Sequence, residues 1–218
     1  MDRTHSGAFE LCADDENMST KIEFFYDYVS VYSYLADSQL SQLTSAEIVY
    51  RPMFLGAVME ATGNRPPGTV KAKGKYLRTD IERWVKRYSL AFNMNPLFPQ
   101  NTLKALRLAL VAQKHGTFEP VHRALFDAMW AHEKDLSDEN VLAEIAAKAG
   151  VPLAEIEDAA IKDELKANTG EAVDRGAFGA PTFFVGDQMF FGNDRFEFIG
   201  EAIGYRGGTP LLVCPAWA

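Results

Sequence analysis

The sequence predicts an α/β protein: a βαβ unit and a ββα unit sharing one sheet, with a large helical subdomain inserted between the second and third strands. Three observations lead there. Strand-like segments come in two pairs, one before residue 55 and one after residue 181. The long stretch between them carries its apolar residues at helical spacing. A proline, Pro181, stands immediately ahead of the second pair, where a strand can begin but not continue through it.

The elements follow in order. Residues 21–28 (KIEFFYDY) are apolar and aromatic, as a buried strand requires. Residues 33–43 read as a helix, and residues 47–54 (EIVYRPMF) as a second strand that Pro52 brings to its end. Between about 57 and 180 the pattern is helical. Lys71–Tyr88 repeats Tyr76, Leu77, Ile81, Trp84, Val85 and Tyr88 at helical spacing. Asn101 can cap a helix that carries Leu103, Leu106, Leu110 and Val111. Residues 121–130 follow Pro120, Ser137 is expected to cap Glu139–Ala149, and Gly150 supplies its stop. A further helix is expected over 162–175. Thr182–Val185 and Gln188–Phe191, split by Gly186-Asp187, read as a hairpin, and a last helix over 194–203. A parallel crossover needs only about a dozen residues, so the long stretch is an insertion and not a connection. The expected division is 21–56 with 178–204 for the sheet domain, 57–177 for the inserted helices, and tails at 1–20 and 205–218.

Composition fits one buried core. The chain has 218 residues, 47% hydrophobic and 24% charged, so disordered and fibrous classes are excluded. No run approaches the roughly 18 apolar residues of a membrane span. Net charge is −8, against nucleic acid as a partner. Cys12 and Cys214 form no metal-type cluster, and the four histidines (His5, His115, His122, His132) show no ligand spacing, so no metal is expected. Residues 1–17 lack a basic start and apolar stretch, and Met18 is a second possible start. A cytoplasmic protein is the expectation.

A βαβ unit followed by ββα, with proline ahead of the hairpin, is the thioredoxin arrangement. Pro181 is then either cis, as such turns retain, or a trans residue that merely starts a strand. Redox proteins of this arrangement carry C-x-x-C where the first strand meets the first helix. Here Ser30-Val31-Tyr32-Ser33 stands there, and without thiols disulfide exchange is excluded. A serine at that place can donate its hydroxyl to another molecule's thiolate, or can serve only as the helix N-cap.

Four stretches together resemble one family, that of kappa-class glutathione transferases and 2-hydroxychromene-2-carboxylate isomerases. They are F-Y-D-Y-V-S-V-Y-S-Y-L (25–35), G-N-R-P-P-G (63–68), G-A-F-G-A-P-T (176–182) and F-G-N-D-R (191–195). Their order and spacing match through nearly all of residues 21–203. Val31 departs from the pattern, since the family has proline there, which loosens the turn but leaves the hydroxyl. The resemblance implies that glutathione is the cofactor and that Ser30 sits against its sulfur. Lowering a thiol from about 8.5 to about 6.5 needs about 2.7 kcal/mol. One charge-assisted hydrogen bond of about 1.5–3 kcal/mol plus a helix terminus of about 0.3–1 kcal/mol has that size.

By the same resemblance Asn64 and Lys73 meet the glycyl end, and the backbone of Ala180 beside Pro181 pairs with the cysteinyl unit. Asp194 holds the γ-glutamyl ammonium, and Asn193 or Arg195 its carboxylate. Read without the family, Asn193-Asp194 is the N-cap of the last helix. Eight basic residues among 65–87 face only Asp80 and Glu82, a local excess that can draw an anionic ligand to an acidic protein. Most of these charges read equally as a solvated helix face. Tyr76, Trp84 and Tyr88 share a helix face, either as core or as a wall for an aromatic substrate. E-R-W-x-x-R-Y (82–88) resembles the isomerase branch, which puts Tyr76, Arg83 and Trp84 against a small aromatic acid. The implied activity is glutathione-dependent isomerisation. A kappa-class transferase, or a glutathione-binding module without catalysis, are the alternatives. The family forms homodimers.

Overall fold

The computed structural model describes residues 20–204; both tails, with Cys12 and Cys214, lie outside the described residues. Four strands form one sheet in the order β2-β1-β3-β4: β1 is Thr20–Tyr26, β2 Ala46–Pro52, β3 Thr182–Val185 and β4 Gln188–Phe191. β1 runs parallel to β2 and antiparallel to β3, and β3–β4 is the hairpin expected at Gly186-Asp187. Helix α1 (Val31–Asp37) links β1 to β2. Between β2 and β3 lie α2 (Leu55–Thr62), α3 (Lys71–Tyr88), α4 (Leu103–Lys114), α5 (Phe118–Trp130), α6 (Glu139–Ala149) and α7 (Ala159–Asp174); α8 (Phe196–Ala202) follows β4.

Because successive side chains of a strand point to opposite faces, β1 supplies both cores. Phe24 stacks on Phe183, its partner in register, with ring centroids 5.0 Å apart. On the same face Tyr26 meets Phe126 of α5. Phe25 turns the other way, against Phe184, Leu55, Val58 and Ala172, a smaller core beneath α2 and α7. Phe126 is 1% exposed and its ring packs on Tyr26, Tyr28, Tyr34 and His122. Its replacement by alanine should cost about 3–5 kcal/mol in urea unfolding; a loss below about 1 kcal/mol would mean that this core collapses around the gap.

Several expectations need correction. The helix over 33–43 is in fact α1 followed by a separate 3-10 turn at Leu40–Gln42. Asp37 at the end of α1 and Ser38 and Gln39 after it are buried, and the Ser38 hydroxyl donates to Leu35 O, so side chains compete with the helical ladder. β1 stops at Tyr26 because Asp27 leaves the sheet to accept other N–H groups. α2 was not foreseen: it has no side-chain cap, and only Gly63 at φ 71° marks its end. Asp138, not Ser137, caps α6 by accepting Asn140 N–H, while Ser137 turns back to Asp135. The last helix starts at Phe196, so neither Asn193 nor Asp194 caps it.

Candidate functional site

The site lies where β1, β3 and β4 give way to loops. Ser30 caps α1 as its Oγ accepts Ser33 N–H at 3.1 Å. The same hydroxyl donates to the carbonyl of Ala180 at 2.9 Å, across 150 residues of chain. The peptide Ala180–Pro181 is cis. The cap reading of Ser30 therefore holds, and its proton points at the loop ahead of β3. Ser30 is 7% exposed. Val31 has not displaced it, because Ser30 N–H donates to Asp27 O at 3.0 Å and closes the turn.

Asp27 was missed in the sequence and organises this corner. Fully buried, it accepts Val29 N–H at 3.1 Å, Leu55 N–H at 2.8 Å and the Thr102 hydroxyl at 2.5 Å, tying the loop before α1 to the starts of α2 and α4. Burial pushes its carboxyl up to about 6, against the pull of those donors. An acidic residue inside the aromatic run of 24–28 was the available signal.

The other expected residues divide. Asn64 Nδ2, just after α2, donates to Phe178 O at 2.7 Å, which ties it to the loop that carries Ala180. Gly192 N–H donates to Pro181 O, which brings Asn193 and Asp194 to the same edge. Asn193 is 3% exposed, and its Nδ2 is a buried donor without an acceptor. Asp194 pairs with Arg195 at 2.7 Å. Lys73 and Arg83 are exposed on α3 and form no ion pair among the described residues. The aromatic stripe splits: Tyr88 is buried and reaches Asn193 O, Trp84 is half-buried against Tyr88 and Arg87, and Tyr76 is 61% exposed. Tyr76 and Tyr32 both donate to Asp80, at 3.3 and 2.7 Å, which binds the first turn of α1 to α3. Neither Tyr32 nor Asp80 was singled out in the sequence; their link is a contact between helices. Burial, then Asp80, pushes the Tyr32 phenol well up from its ordinary value.

A groove of about 890 Å³ between β4 and α8 is lined by Phe178, Met189, Phe191, Arg195 and Phe198. Ser30 and Ala180 are not in its wall, so it lies beside the site. Among the described residues no cluster of His, Cys, Asp and Glu could hold a metal ion, and no helix is long and apolar enough to cross a membrane.

Residues 21–204 match the family described as DSBA-like thioredoxin domain. The 2-hydroxychromene-2-carboxylate isomerase of Sphingobium xenophagum is 32% identical over 191 residues, covering 84% of this chain and 97% of that protein. Glutathione S-transferase kappa 1 of Caenorhabditis elegans is 30% identical over 204 residues, covering 84% and 90%. Among solved structures, a 2-hydroxychromene-2-carboxylate isomerase aligns with a TM-score of 0.75 at 27% identity, covering 84% of this chain and 94% of that one.

Proposed function

The chain belongs to the family of DSBA-like thioredoxin domains, on the branch that holds kappa-class glutathione transferases and 2-hydroxychromene-2-carboxylate isomerases, and on that premise we propose that it is a glutathione-dependent isomerase of a small aromatic acid. One observation carries the reading. At the place where disulfide exchange needs thiols, a buried serine hydroxyl faces the backbone of Ala180 beside Pro181. The residues fit glutathione: Asn193 keeps an unspent buried donor for a carboxylate, and Lys73 on α3 is exposed and forms no ion pair among the described residues.

When bound, glutathione would supply a thiolate, its proton passing to solvent, for reversible addition to a carbon conjugated with a carbonyl. The chain's own residues do the rest. Ser30 turns its proton from Ala180 O to the sulfur and stabilises the thiolate; serine is too weak a base to take the thiol proton itself. The freed Ala180 carbonyl and the adjoining backbone pair with the cysteinyl unit as an extended peptide pairs with a strand. Asn64 and Lys73 take the glycyl end, Asp194 the γ-glutamyl ammonium, and Asn193 or Arg195 its carboxylate. Asp194 already pairs with Arg195, so the two present both charges that an amino acid group requires. Tyr76, Arg83 and Trp84 would meet the aromatic acid, of which exposed Tyr76 and Arg83 are the more accessible. The absence of thiols at Ser30 and Ser33 also suits a cytoplasmic enzyme that leaves disulfides alone, and a homodimer fits the resemblance.

The test is stoichiometric. A trace of glutathione, far below substrate, should drive complete interconversion of 2-hydroxychromene-2-carboxylate and its open-chain benzylidenepyruvate isomer. If product consumes one glutathione per turnover and a thioether accumulates, the chain is a transferase. If glutathione raises the melting temperature but neither product forms with a panel of conjugated aromatic acids, it is a binding module.

A further inference from the structure

A buried polar chain that the chemistry above does not use joins α5 to the segment around α1. His122, on α5, places Nδ1 2.9 Å from the Tyr28 hydroxyl and Nε2 2.9 Å from Asp37 Oδ1. Tyr28 is fully buried, His122 is 4% and Asp37 8% exposed. The rings of Tyr26, Tyr50, Phe118 and Phe126 lie within 5.0 Å of the imidazole, centroid to centroid. A neutral imidazole protonated on Nε2 satisfies every group: Nε2–H donates to Asp37, and the Tyr28 hydroxyl donates to Nδ1. A hydroxyl, an imidazole and a carboxylate in that order are the parts of a nucleophilic triad. Here the hydroxyl is sealed from any substrate, so its use is mechanical.

The positions of the two partners show what it moves. Tyr28 lies two residues ahead of Ser30, and Asp37 is the last residue of α1. The Tyr28 carbonyl also accepts Trp130 Nε1–H at 2.9 Å, from the end of the same α5. Ring packing alone has little directionality and lets a helix slide over aromatic neighbours; hydrogen bonds of fixed angle do not. A donor aimed at a sulfur must be held within about 0.5 Å.

We propose that Tyr28, His122 and Asp37 form a positioning relay for Ser30. Asp37 sets the tautomer and tilt of His122, His122 holds Tyr28, and Tyr28 fixes the turn from which the Ser30 hydroxyl is aimed. The proposal rests on the role given to Ser30 above, and its test separates the two. Hydrogen exchange in the glutathione-free protein reads the Ser30, Ser33 and Tyr34 amides, which close this turn. Tyr28→Phe and His122→Gln both lose the link at Nδ1, whereas His122→Asn keeps an amide group near that position.

In Tyr28→Phe and His122→Gln these three amides should exchange about tenfold faster while those of α6 are unchanged. In His122→Asn they should stay within about threefold of wild type, even though its melting temperature falls because Asp37 loses its partner. The thiol pKa of bound glutathione should rise by about one unit in the first two variants only. Uniform acceleration through all helices, or unchanged exchange in Tyr28→Phe, overturns the relay. Should His122→Gln fail to fold, Tyr28→Phe decides alone. If wild type holds no thiolate, the Ser30 reading falls while the exchange data still judge the relay.

Discussion

Ser30→Ala should lower turnover roughly 10²-fold, the loss that follows removal of one preorganised donor. The hydroxyl has two jobs, and the variant separates them. As acceptor it caps α1 through Ser33 N–H, and its loss should cost about 1 kcal/mol in unfolding. As donor it is spent on Ala180 O, and in the proposed reaction a sulfur takes the place of that carbonyl. Alanine therefore also leaves the Ala180 carbonyl without this partner, which by itself does not change a thiol pKa. The decisive reading is the thiolate absorbance titration of bound glutathione, which should shift upward together with the fall in turnover. Ser30→Thr keeps the hydroxyl and should recover most of the activity. Unchanged turnover with an unchanged titration would remove Ser30 from the mechanism.

Asp27 makes the second large prediction, on stability and pH. Its carboxyl is raised from 3.8 to about 6 by burial. A group that holds its proton more tightly when folded favours the folded chain at low pH, and that advantage is lost as pH rises. Below about pH 4 both states are protonated and Asp27 contributes no slope. Between about pH 4 and 6 the wild type should lose about 3 kcal/mol relative to a variant that cannot titrate there, and above about pH 6 the difference is constant. Asp27→Asn is that variant. It is less stable at every pH where it leaves Leu55 N–H or the Thr102 hydroxyl without an acceptor, so the informative quantity is the slope of the difference. Urea unfolding of both proteins at pH 4 and pH 7 measures it. Parallel profiles would show that Asp27 is charged in the folded state at no cost.

At three of its punctuation points the sequence reading and the structure agree to the residue. β3 and β4 are bounded by Pro181 and Gly186-Asp187, and α3 runs from the Pro-Pro-Gly turn to a basic last turn. Agreement fails where polar side chains decide the backbone. Asp37, Ser38 and Gln39 end α1 early because they are buried, which spacing alone does not disclose. Asp138 outcompetes Ser137 for the cap because Asp135 engages the serine first. Ser30 and Ala180 were joined beforehand only through a family resemblance, since no local signal links residues 150 positions apart. Histidine spacing in the sequence gives no sign of the role of His122. Its partners stand 94 and 85 residues away, and only packing of α5 against α1 unites them.

The placement of the helices between β2 and β3 has a kinetic meaning. β1 is the strand with two neighbours early in the chain's logic, yet its second neighbour, β3, is among the last described residues to be synthesised. Separating the pair by the long stretch from Tyr26 to Thr182, rather than by about a dozen residues, raises closure entropy by only about 2 kcal/mol, because the cost grows with the logarithm of length. The equilibrium burden is small, but the waiting time is not. Until Phe183 arrives, Phe24 has an open flank and an unpaired strand edge, the kind of surface that chaperones cover and that associates in concentrated refolding. A nascent chain ending near residue 180 should therefore be the most association-prone length, and addition of the hairpin should abolish that tendency.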